Sequence, residues 1–203
     1  MDRVIVYIDG FNLYFGMKSQ GFRRYYWLDV CQLGGELLAR GQRLSGTKYF
    51  TSRVRRPPDK VKRQTTYIEA LQTLPDLSIY FGKYTFAERT CIQCGRVDRV
   101  PTEKMTDVNI AVELLADVFQ DNFDTAIVVS GDSDLTGPVE AVQRLFPSKG
   151  MVVAFPPGRY TAQLANTASA FVHIDRNMLA KSQLPTSVIK AGGVRLIRPD
   201  HWQ

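Results

Sequence analysis

No apolar run in this sequence approaches the roughly 20 residues that a helix needs to cross a membrane. The first residues, Met1 to Asp9, do not resemble a signal peptide, because their apolar stretch is short and ends in Asp-Gly. The chain has only three cysteines, an odd number that argues against a secreted disulfide framework. These absences exclude the membrane-spanning and disulfide-rich classes, and we expect a cytoplasmic protein with no membrane partner.

Several common catalytic signatures are missing as well. The only two histidines, His173 and His201, lack the spacing of metal ligands and make no case for a general base. No G-x-S-x-G elbow marks a nucleophilic serine, and no G-x-G-x-x-G follows the first predicted strand. The sequence therefore gives no support to a serine hydrolase or a dinucleotide-binding enzyme.

The composition is that of an ordinary globular protein with a basic balance. The 203 residues are 44% hydrophobic and 23% charged, with a formal net charge of +6 and a pI near 9.3. The length suits one sizeable domain. The positive charge favours a polyanionic partner without identifying it.

Hydrophobic patterns alternate between strand and helix along most of the chain. This alternation predicts an α/β fold, a three-layer α/β/α sandwich with a mainly parallel central sheet. We place the domain at residues 1–181, with a less regular insert at 82–103 and an extended tail at 182–203. The predicted strands are residues 3–8, 48–54, 77–81, 127–129, 150–155 and 171–174. The predicted helices begin near residue 11 and cover 28–39, 58–74, 104–120, 138–146 and 160–169.

Acidic residues follow two of the predicted strands. Asp9 ends the first strand, and Asp132 and Asp134 follow the strand Ile127 to Val129. Because parallel strands present their carboxyl ends at one edge of a sheet, these carboxylates can converge there. Asp107, in the first turn of the helix before the latter strand, is a possible fourth member.

Carboxylates that gather without basic neighbours repel one another, and a cation is the usual remedy. A hard divalent ion such as Mg²⁺ or Mn²⁺ suits an all-carboxylate site. A bound ion of this kind activates water and stabilises charge on a phosphoryl oxygen. On a basic protein, metal-assisted phosphodiester hydrolysis is the reaction that suits such a site. The simpler interpretation is that Asp132 caps a helix and Asp134 complements its dipole.

A run of cations follows the second predicted strand, at the edge where the acidic residues are expected. It could hold the phosphates of a nucleic acid, or it could be a solvated helix face. The segment Arg23 to Trp27 mixes cations with aromatic residues, which is typical of a single-strand stacking surface or of core packing. The candidate nucleic-acid-binding residues are Arg53, Arg55, Arg56, Lys60, Lys62, Arg63 and Lys104.

One C-x-x-C pair, Cys91 and Cys94, lies in the insert and supplies half of a structural zinc site. The remaining candidates, Cys31 and the two histidines, have no ligand-like spacing. Zinc shared across a homodimer would complete the site, but two reduced cysteines in a turn are the preferred interpretation.

Three blocks of sequence resemble the NYN domain, the LabA/DUF88-like branch of the PIN-like nuclease superfamily. They are Ile8-Asp9-Gly10-Phe11-Asn12-Leu13-Tyr14, Glu103-Lys104-Met105-Thr106-Asp107-Val108 and Ser130-Gly131-Asp132-Ser133-Asp134-Leu135. The blocks occur in the family's order, and the resemblance covers roughly residues 3 to 175. Position 105 departs from the family, which often has Gly where this chain has Met105.

The resemblance implies a PIN-like sandwich and a Mg²⁺- or Mn²⁺-dependent ribonuclease site. The family's acidic positions fall on Asp9, Asp107, Asp132 and Asp134, with Asn12 as a polar accessory. We therefore expect a metal-dependent endoribonuclease acting on single-stranded or structured RNA.

Two alternatives to the nuclease stay open. One is a non-catalytic RNA-binding or scaffolding module on the same fold. The other is a haloacid-dehalogenase-type phosphatase, since Asp132-Ser133-Asp134-Leu135-Thr136 fits a D-x-D-x-T motif. The phosphatase interpretation leaves Asp9 and Asp107 without roles.

Overall fold

A computed structural model describes the backbone of residues 1–90 and 92–202, and the side chains of these residues other than 84–87, 89 and 98–103. The strands are β1 (Asp2–Asp9), β2 (Gln42–Thr51), β3 (Leu77–Phe81), β4 (Lys83–Thr90), β5 (Val97–Lys104), β6 (Thr125–Val129), β7 (Gly150–Phe155), β8 (Ala170–His173), β9 (Ser187–Ile189) and β10 (Arg195–Ile197). The helices are α1 (Gly10–Ser19), α2 (Val30–Glu36), α3 (Pro58–Leu71), α4 (Thr106–Phe119), α5 (Thr136–Leu145), α6 (Ala162–Thr167) and α7 (Arg176–Lys181).

Six strands form the central sheet in the order β3-β2-β1-β6-β7-β8. All of its neighbouring strands pair in parallel, with Ile8 opposite Val129 where β1 meets β6. The chain winds outward from β1 in one direction and then returns to wind from β6 in the other. The order therefore reverses between β1 and β6, which is the switch point where doubly wound sheets bind their ligands.

Helices cover both faces of this sheet. Successive β1 side chains point to opposite sides, and the apolar side chains on each side are buried beneath helices. Val4, Val6 and Ile8 join the core beneath α1, α2, α3 and α7. Ile5 and Tyr7 join a second core, which includes Ile110, Leu114 and Val118 from one face of α4. The three-layer α/β/α prediction is confirmed.

A buried polar network fixes α4 to the sheet. Lys48 Nζ of β2 lies 2.6 Å from an Asp117 oxygen and 2.7 Å from a Glu113 oxygen. The Tyr7 hydroxyl of β1 donates to Asp117 at 2.5 Å. Burial and the Asp117 carboxylate both raise the pKa of Tyr7, so its proton stays in the network. These bonds position the helix whose first turn carries Asp107.

The insert at 82–103 is more regular than the sequence indicated. Its backbone forms an antiparallel hairpin of β4 and β5, in which Lys83 pairs with Lys104 and Thr90 with Val97. Gly95 adopts a positive φ of 68° between the strands. Cys91 lies outside the described residues, so the zinc prediction cannot be placed in the fold.

The segment 182–203, expected to be an extended tail, packs on the domain as far as residue 202. β9 and β10 pair antiparallel, and Leu184, Leu196 and Trp202 belong to the core beneath α1 and α2. Trp27 Nε1 donates to the Pro185 carbonyl at 2.7 Å. Within residues 1–90 and 92–202, no helix has the length and apolarity of a membrane span.

Candidate functional site

Three of the predicted acidic residues follow the two strands on either side of the switch point of the sheet. Asp9 ends β1 and is only 5% exposed. Asp132 and Asp134 follow the neighbouring strand β6, where Asp132 caps a short 3-10 turn that begins at Ser133 and contains Asp134. We call the space between the loops after β1 and β6 the switch-point crevice.

A chain of hydrogen bonds connects the two loops. The buried Ser130 hydroxyl donates to Asp9 Oδ2 at 3.0 Å and accepts from the Asp132 amide at 3.1 Å. Asn12 Oδ1 accepts from the Gly131 amide at 3.0 Å. Asp9 also caps α1 by accepting from the Asn12 amide. The loops therefore form one rigid unit that fixes the Asp9 carboxylate relative to the backbone of Asp132.

Two glycines are required by close packing around the crevice. A Cβ on Gly10 would lie 2.5 Å from the Tyr49 ring and 2.8 Å from the Phe50 carbonyl. A Cβ on Gly131 would lie 2.9 Å from Arg159 Cβ. Both distances are shorter than side chains tolerate, so glycine lets α1 start against β2 and lets the loop after β7 approach the crevice.

Asp107 reaches the same crevice from α4. It lies in the first turn of this helix and is half-buried. Burial raises the pKa of Asp107, and the negative charges of Asp132 and Asp134 raise it further. Asp107 thus lies close enough to Asp132 and Asp134 for their charges to disfavour its ionised form.

The backbone conformation at Met105 explains why the family often has Gly at this position. Its φ is +77°, in the left-handed region that costs a residue with a side chain about 1–2 kcal/mol. The residue directly precedes α4 and has no side-chain cap bond. The turn that Gly would make without strain is therefore retained here despite the Met side chain.

We predict that Asp107→Asn raises the melting temperature at neutral pH when divalent ions are absent. Because the folded-state pKa is raised, the folded protein holds more protons than the unfolded chain above the ordinary Asp pKa of about 4. The contribution of Asp107 to stability therefore falls as pH rises through that region, and Asn removes this loss. Thermal unfolding in EDTA between pH 4 and 7 measures the difference, which should grow with pH. A variant less stable than the wild type at pH 7 would contradict the repulsion.

The predicted basic residues lie at the same edge as the carboxylates. Residues 53–63, which we call the basic segment, follow the carboxyl end of β2, the strand beside β1. Arg53 stacks on the Phe81 ring at 4.8 Å, and Arg63 pairs with Asp59 at 2.8 Å. Among the described residues, Arg55, Arg56, Lys60 and Lys62 are exposed and their side chains form no ion pair. Lys104 is exposed at the end of β5, three residues before Asp107.

The aromatic residues of segment 23–27 belong to the core, not to a stacking surface. Tyr25, Tyr26 and Trp27 are each no more than 8% exposed. An aromatic surface that the sequence analysis did not identify lies on α1, where the Phe11 and Phe15 rings stack with centroids 6.0 Å apart. Phe15 is 41% exposed, and Phe11 stands two residues after Asp9.

Two further residues of the crevice were missed. The sequence analysis gives Ser130 no role beyond its place in the third motif block, yet its hydroxyl bonds both Asp9 and Asp132. Arg159, in the loop after β7, packs its Cβ and its backbone against Gly131. Its position four residues after the predicted strand 150–155 was the available signal, since that loop opens at the same edge of the sheet.

The cysteines that the structure describes show no metal site. Cys94 is an exposed free thiol, and Cys31 is free as well. Burial raises the pKa of the Cys31 thiol to about 11, which keeps it protonated and a poor metal ligand. Zinc binding by Cys91 and Cys94 stays a prediction.

A doubly wound parallel sheet whose switch point carries acidic residues defines this chain as a nuclease-like α/β domain. The model of the NYN domain matches residues 3–175. The chain therefore belongs to the NYN domain family of the PIN-like superfamily, as its three sequence blocks predicted.

This chain is similar to a named enzyme and to a protein of solved structure. One is the 6-hydroxy-3-succinoylpyridine 3-monooxygenase HspA of Pseudomonas putida, 27% identical over 98% of this chain and 75% of its own length. The other is a crystal structure of a protein of unknown function from Vibrio parahaemolyticus, 19% identical with a TM-score of 0.58. That match covers 87% of this chain and 94% of the other and supports the fold alone.

Proposed function

We propose that this protein is a metal-dependent endoribonuclease that hydrolyses phosphodiester bonds in the switch-point crevice. The observation that carries the proposal is the arrangement of the carboxylates. Ser130 bonds the Asp9 carboxylate and the Asp132 amide at the ends of adjacent strands, and the charge of Asp132 acts on Asp107 from a third element. Carboxylates brought together from distant parts of the sequence are typical of a cation site.

The donor set fits a hard divalent ion completed by water. Within residues 1–90 and 92–202, no group of three or more His, Cys, Asp or Glu side chains already has the arrangement to hold a metal. Mg²⁺ usually keeps several waters and binds through one or two carboxylates, so a full protein cage is not required. Asp9, Asp132 and Asp134 would hold the ion, and Asp107 would contact it directly or through water. Such an ion supplies an activated water and a counter-charge for a phosphoryl oxygen.

The surrounding residues suit the binding of single-stranded RNA. The exposed cations of the basic segment lie along the edge that carries the carboxylates and can contact backbone phosphates. The Phe11 and Phe15 rings on α1 offer a stacking surface that accepts any base. We infer that the cations position the backbone while the stacked bases keep the scissile phosphate over the crevice.

Changing Arg55 and Arg56 to Ala together should make RNA affinity less sensitive to salt. Each lost phosphate contact lowers the slope of log affinity against log salt by about 0.7 for a single strand. Binding of a labelled RNA between 50 and 300 mM salt measures the slope. Arg195→Ala, an exposed arginine on β10, serves as the matched control. An unchanged slope in the double variant would show that the basic segment is only a solvated surface.

A non-catalytic RNA-binding or scaffolding module is the main competing interpretation. Such a module would need the basic segment and the aromatic surface but no divalent ion. Formation of RNA cleavage products only when a divalent ion is present separates the two interpretations.

The phosphatase alternative explains five residues, whereas the NYN match covers all three motif blocks.

The name of the Pseudomonas putida relative suggests a second candidate function. It is a monooxygenase, and the alignment covers 98% of this chain. Oxygenation would require molecular oxygen and an external electron donor, neither of which hydrolysis uses. Oxygen uptake on addition of 6-hydroxy-3-succinoylpyridine and a reduced nicotinamide would replace the nuclease proposal with an oxygenase.

The test of the nuclease proposal is cleavage of a labelled single-stranded RNA with Mn²⁺, Mg²⁺ or EDTA. We expect internal cleavage products with either ion and none with EDTA. Equal cleavage in all three conditions would reveal a contaminant or a metal-free mechanism. RNA binding without cleavage in any of them would leave the scaffolding module as the function.

A further inference from the structure

A second basic site lies apart from the switch-point crevice, where the 3-10 turn Arg23–Tyr25 meets α7 and the tail. A cavity of about 630 Å³ opens there, within the size range of small-molecule sites. None of its lining residues belongs to the loops that carry Asp9, Asp107 or Asp132. The lining residues are Arg24, Tyr25, Ala180, Gln183, Thr186 and Arg198.

Among the described residues, the cavity brings two guanidinium groups together with no carboxylate side chain in its lining. Arg24 lies 5.8 Å over the Tyr25 ring, and Arg176 Nε donates to the Tyr25 hydroxyl at 3.0 Å, so a third cation is near. Burial lowers the pKa of Arg198, and the charge of Arg24 lowers it further. An anion in the cavity would relieve this repulsion.

Two buried polar atoms at the cavity are left without partners. Arg198 donates through Nη2 to the carbonyls of Arg24 and Trp202, but its buried Nε has no acceptor. Gln183 Nε2 donates to the Leu179 carbonyl at 2.7 Å, which fixes the orientation of the amide. Its oxygen Oε1 is buried and accepts nothing. Both residues line the cavity, and each keeps one buried polar atom whose hydrogen-bonding capacity is unmet.

We propose that this cavity binds a phosphorylated sugar, in the form of a nucleotide 5′-monophosphate. A phosphate monoester carries a charge of about −1.5 to −2 at pH 7, which balances the two guanidinium groups as one carboxylate cannot. Its oxygens accept from Arg24 and Arg198, and a ribose hydroxyl donates to Gln183 Oε1. The same group occurs in a free mononucleotide and at the 5′ end of an RNA chain.

Calorimetric titration with AMP, adenosine and inorganic phosphate tests the site directly. We expect AMP to bind at least about tenfold more tightly than adenosine or phosphate, because only AMP satisfies both the cations and Gln183. A 5′-phosphorylated RNA compared with the same RNA bearing a 5′-hydroxyl identifies the source. Preference for AMP assigns a free nucleotide, and preference for the phosphorylated RNA end assigns an RNA terminus. If neither AMP nor the 5′-phosphorylated RNA binds, the proposal is overturned.

The matched variants are Arg24→Gln and Arg23→Gln, two adjacent exposed arginines of which only Arg24 lines the cavity. Arg24→Gln should weaken binding by about tenfold or more, whereas Arg23→Gln should leave it unchanged. Arg198 is not a suitable test residue, because its hydrogen bonds to the Arg24 and Trp202 carbonyls also fix the tail on the domain. Asp132→Asn should bind as the wild type does, which separates this site from the proposed catalytic one. Equal losses in Arg23→Gln and Arg24→Gln, or loss in Asp132→Asn, would contradict a separate site.

Discussion

Asp132→Asn should reduce metal-dependent RNA cleavage by at least about a hundredfold, the size of effect expected when a group that organises a catalytic charge is lost. The Asn side chain keeps an oxygen that can accept from the Asp134 amide, so the 3-10 turn should persist. The variant loses only the negative charge of Asp132, which raises the pKa of Asp107. Initial cleavage rates at saturating Mn²⁺ measure the effect, and circular dichroism verifies the fold.

Asp29→Asn is the matched control for this variant. Asp29 also caps a helix, accepting from the Gln32 amide at 2.8 Å at the start of α2. It has no place among the carboxylates of the switch-point crevice, so its variant should cleave RNA at the wild-type rate. If Asp132→Asn retains full activity, the carboxylates of this crevice do not form the catalytic site. If Asp29→Asn loses as much activity as Asp132→Asn, the effect is structural.

Trp202→Ala should lower the free energy of unfolding by about 3 kcal/mol, which corresponds to a fall in melting temperature of about 6–12 °C. Trp202 is 7% exposed. Its ring contacts Tyr26 and Tyr67 edge to face, with centroids 5.9 and 5.8 Å away, and also packs on Trp27. Removing it would open a cavity at the centre of this aromatic cluster.

Ile197→Ala tests whether this loss is specific to the buried residue. Ile197 lies on β10 in the same tail segment but is 57% exposed, so its truncation should cost less than about 1 kcal/mol. Urea denaturation of the three proteins gives the comparison. A Trp202→Ala protein as stable as Ile197→Ala would mean that the tail does not contribute to the core.

The parallel sheet was predictable because its strands are short apolar runs bounded by turn residues. The strands at 77–81 and 150–155 have the predicted limits. β2 begins at Gln42, six residues earlier than expected, because its first half alternates partly exposed residues and lacks a continuous apolar run. Apolar periodicity reports burial, so it locates the interior of a strand better than an exposed beginning.

The strand order and the docking of the tail were not predictable from local patterns. Both depend on contacts between residues that are distant in sequence, such as Trp27 with Pro185 or Arg198 with Arg24. The tail has Pro and Gly at several positions and only short apolar stretches, so it was read as extended. Its burial depends on Trp27 and Tyr67, which come from two other elements of the fold.

The sequence could single out the carboxylates of the proposed site but not the bonds that support them. Asp9, Asp107 and Asp132 could be found because each occupies a strand end or a first helical turn. Ser130 could not be singled out, since one hydroxyl after a strand gives no signal until its partners are known. The separation of segment 23–27 into a buried aromatic part and an exposed basic part likewise depends on tertiary packing.

The central claim is that one divalent ion in the switch-point crevice enables RNA cleavage, and a Mn²⁺ titration tests it most directly. Bound Mn²⁺, followed by electron paramagnetic resonance, and the cleavage rate of a labelled RNA are measured on the same samples of wild type and Asp9→Asn. We predict that binding and cleavage rise together in the wild type and that both are lost in Asp9→Asn. Cleavage that persists in Asp9→Asn, or Mn²⁺ binding that never produces cleavage in the wild type, would contradict the account.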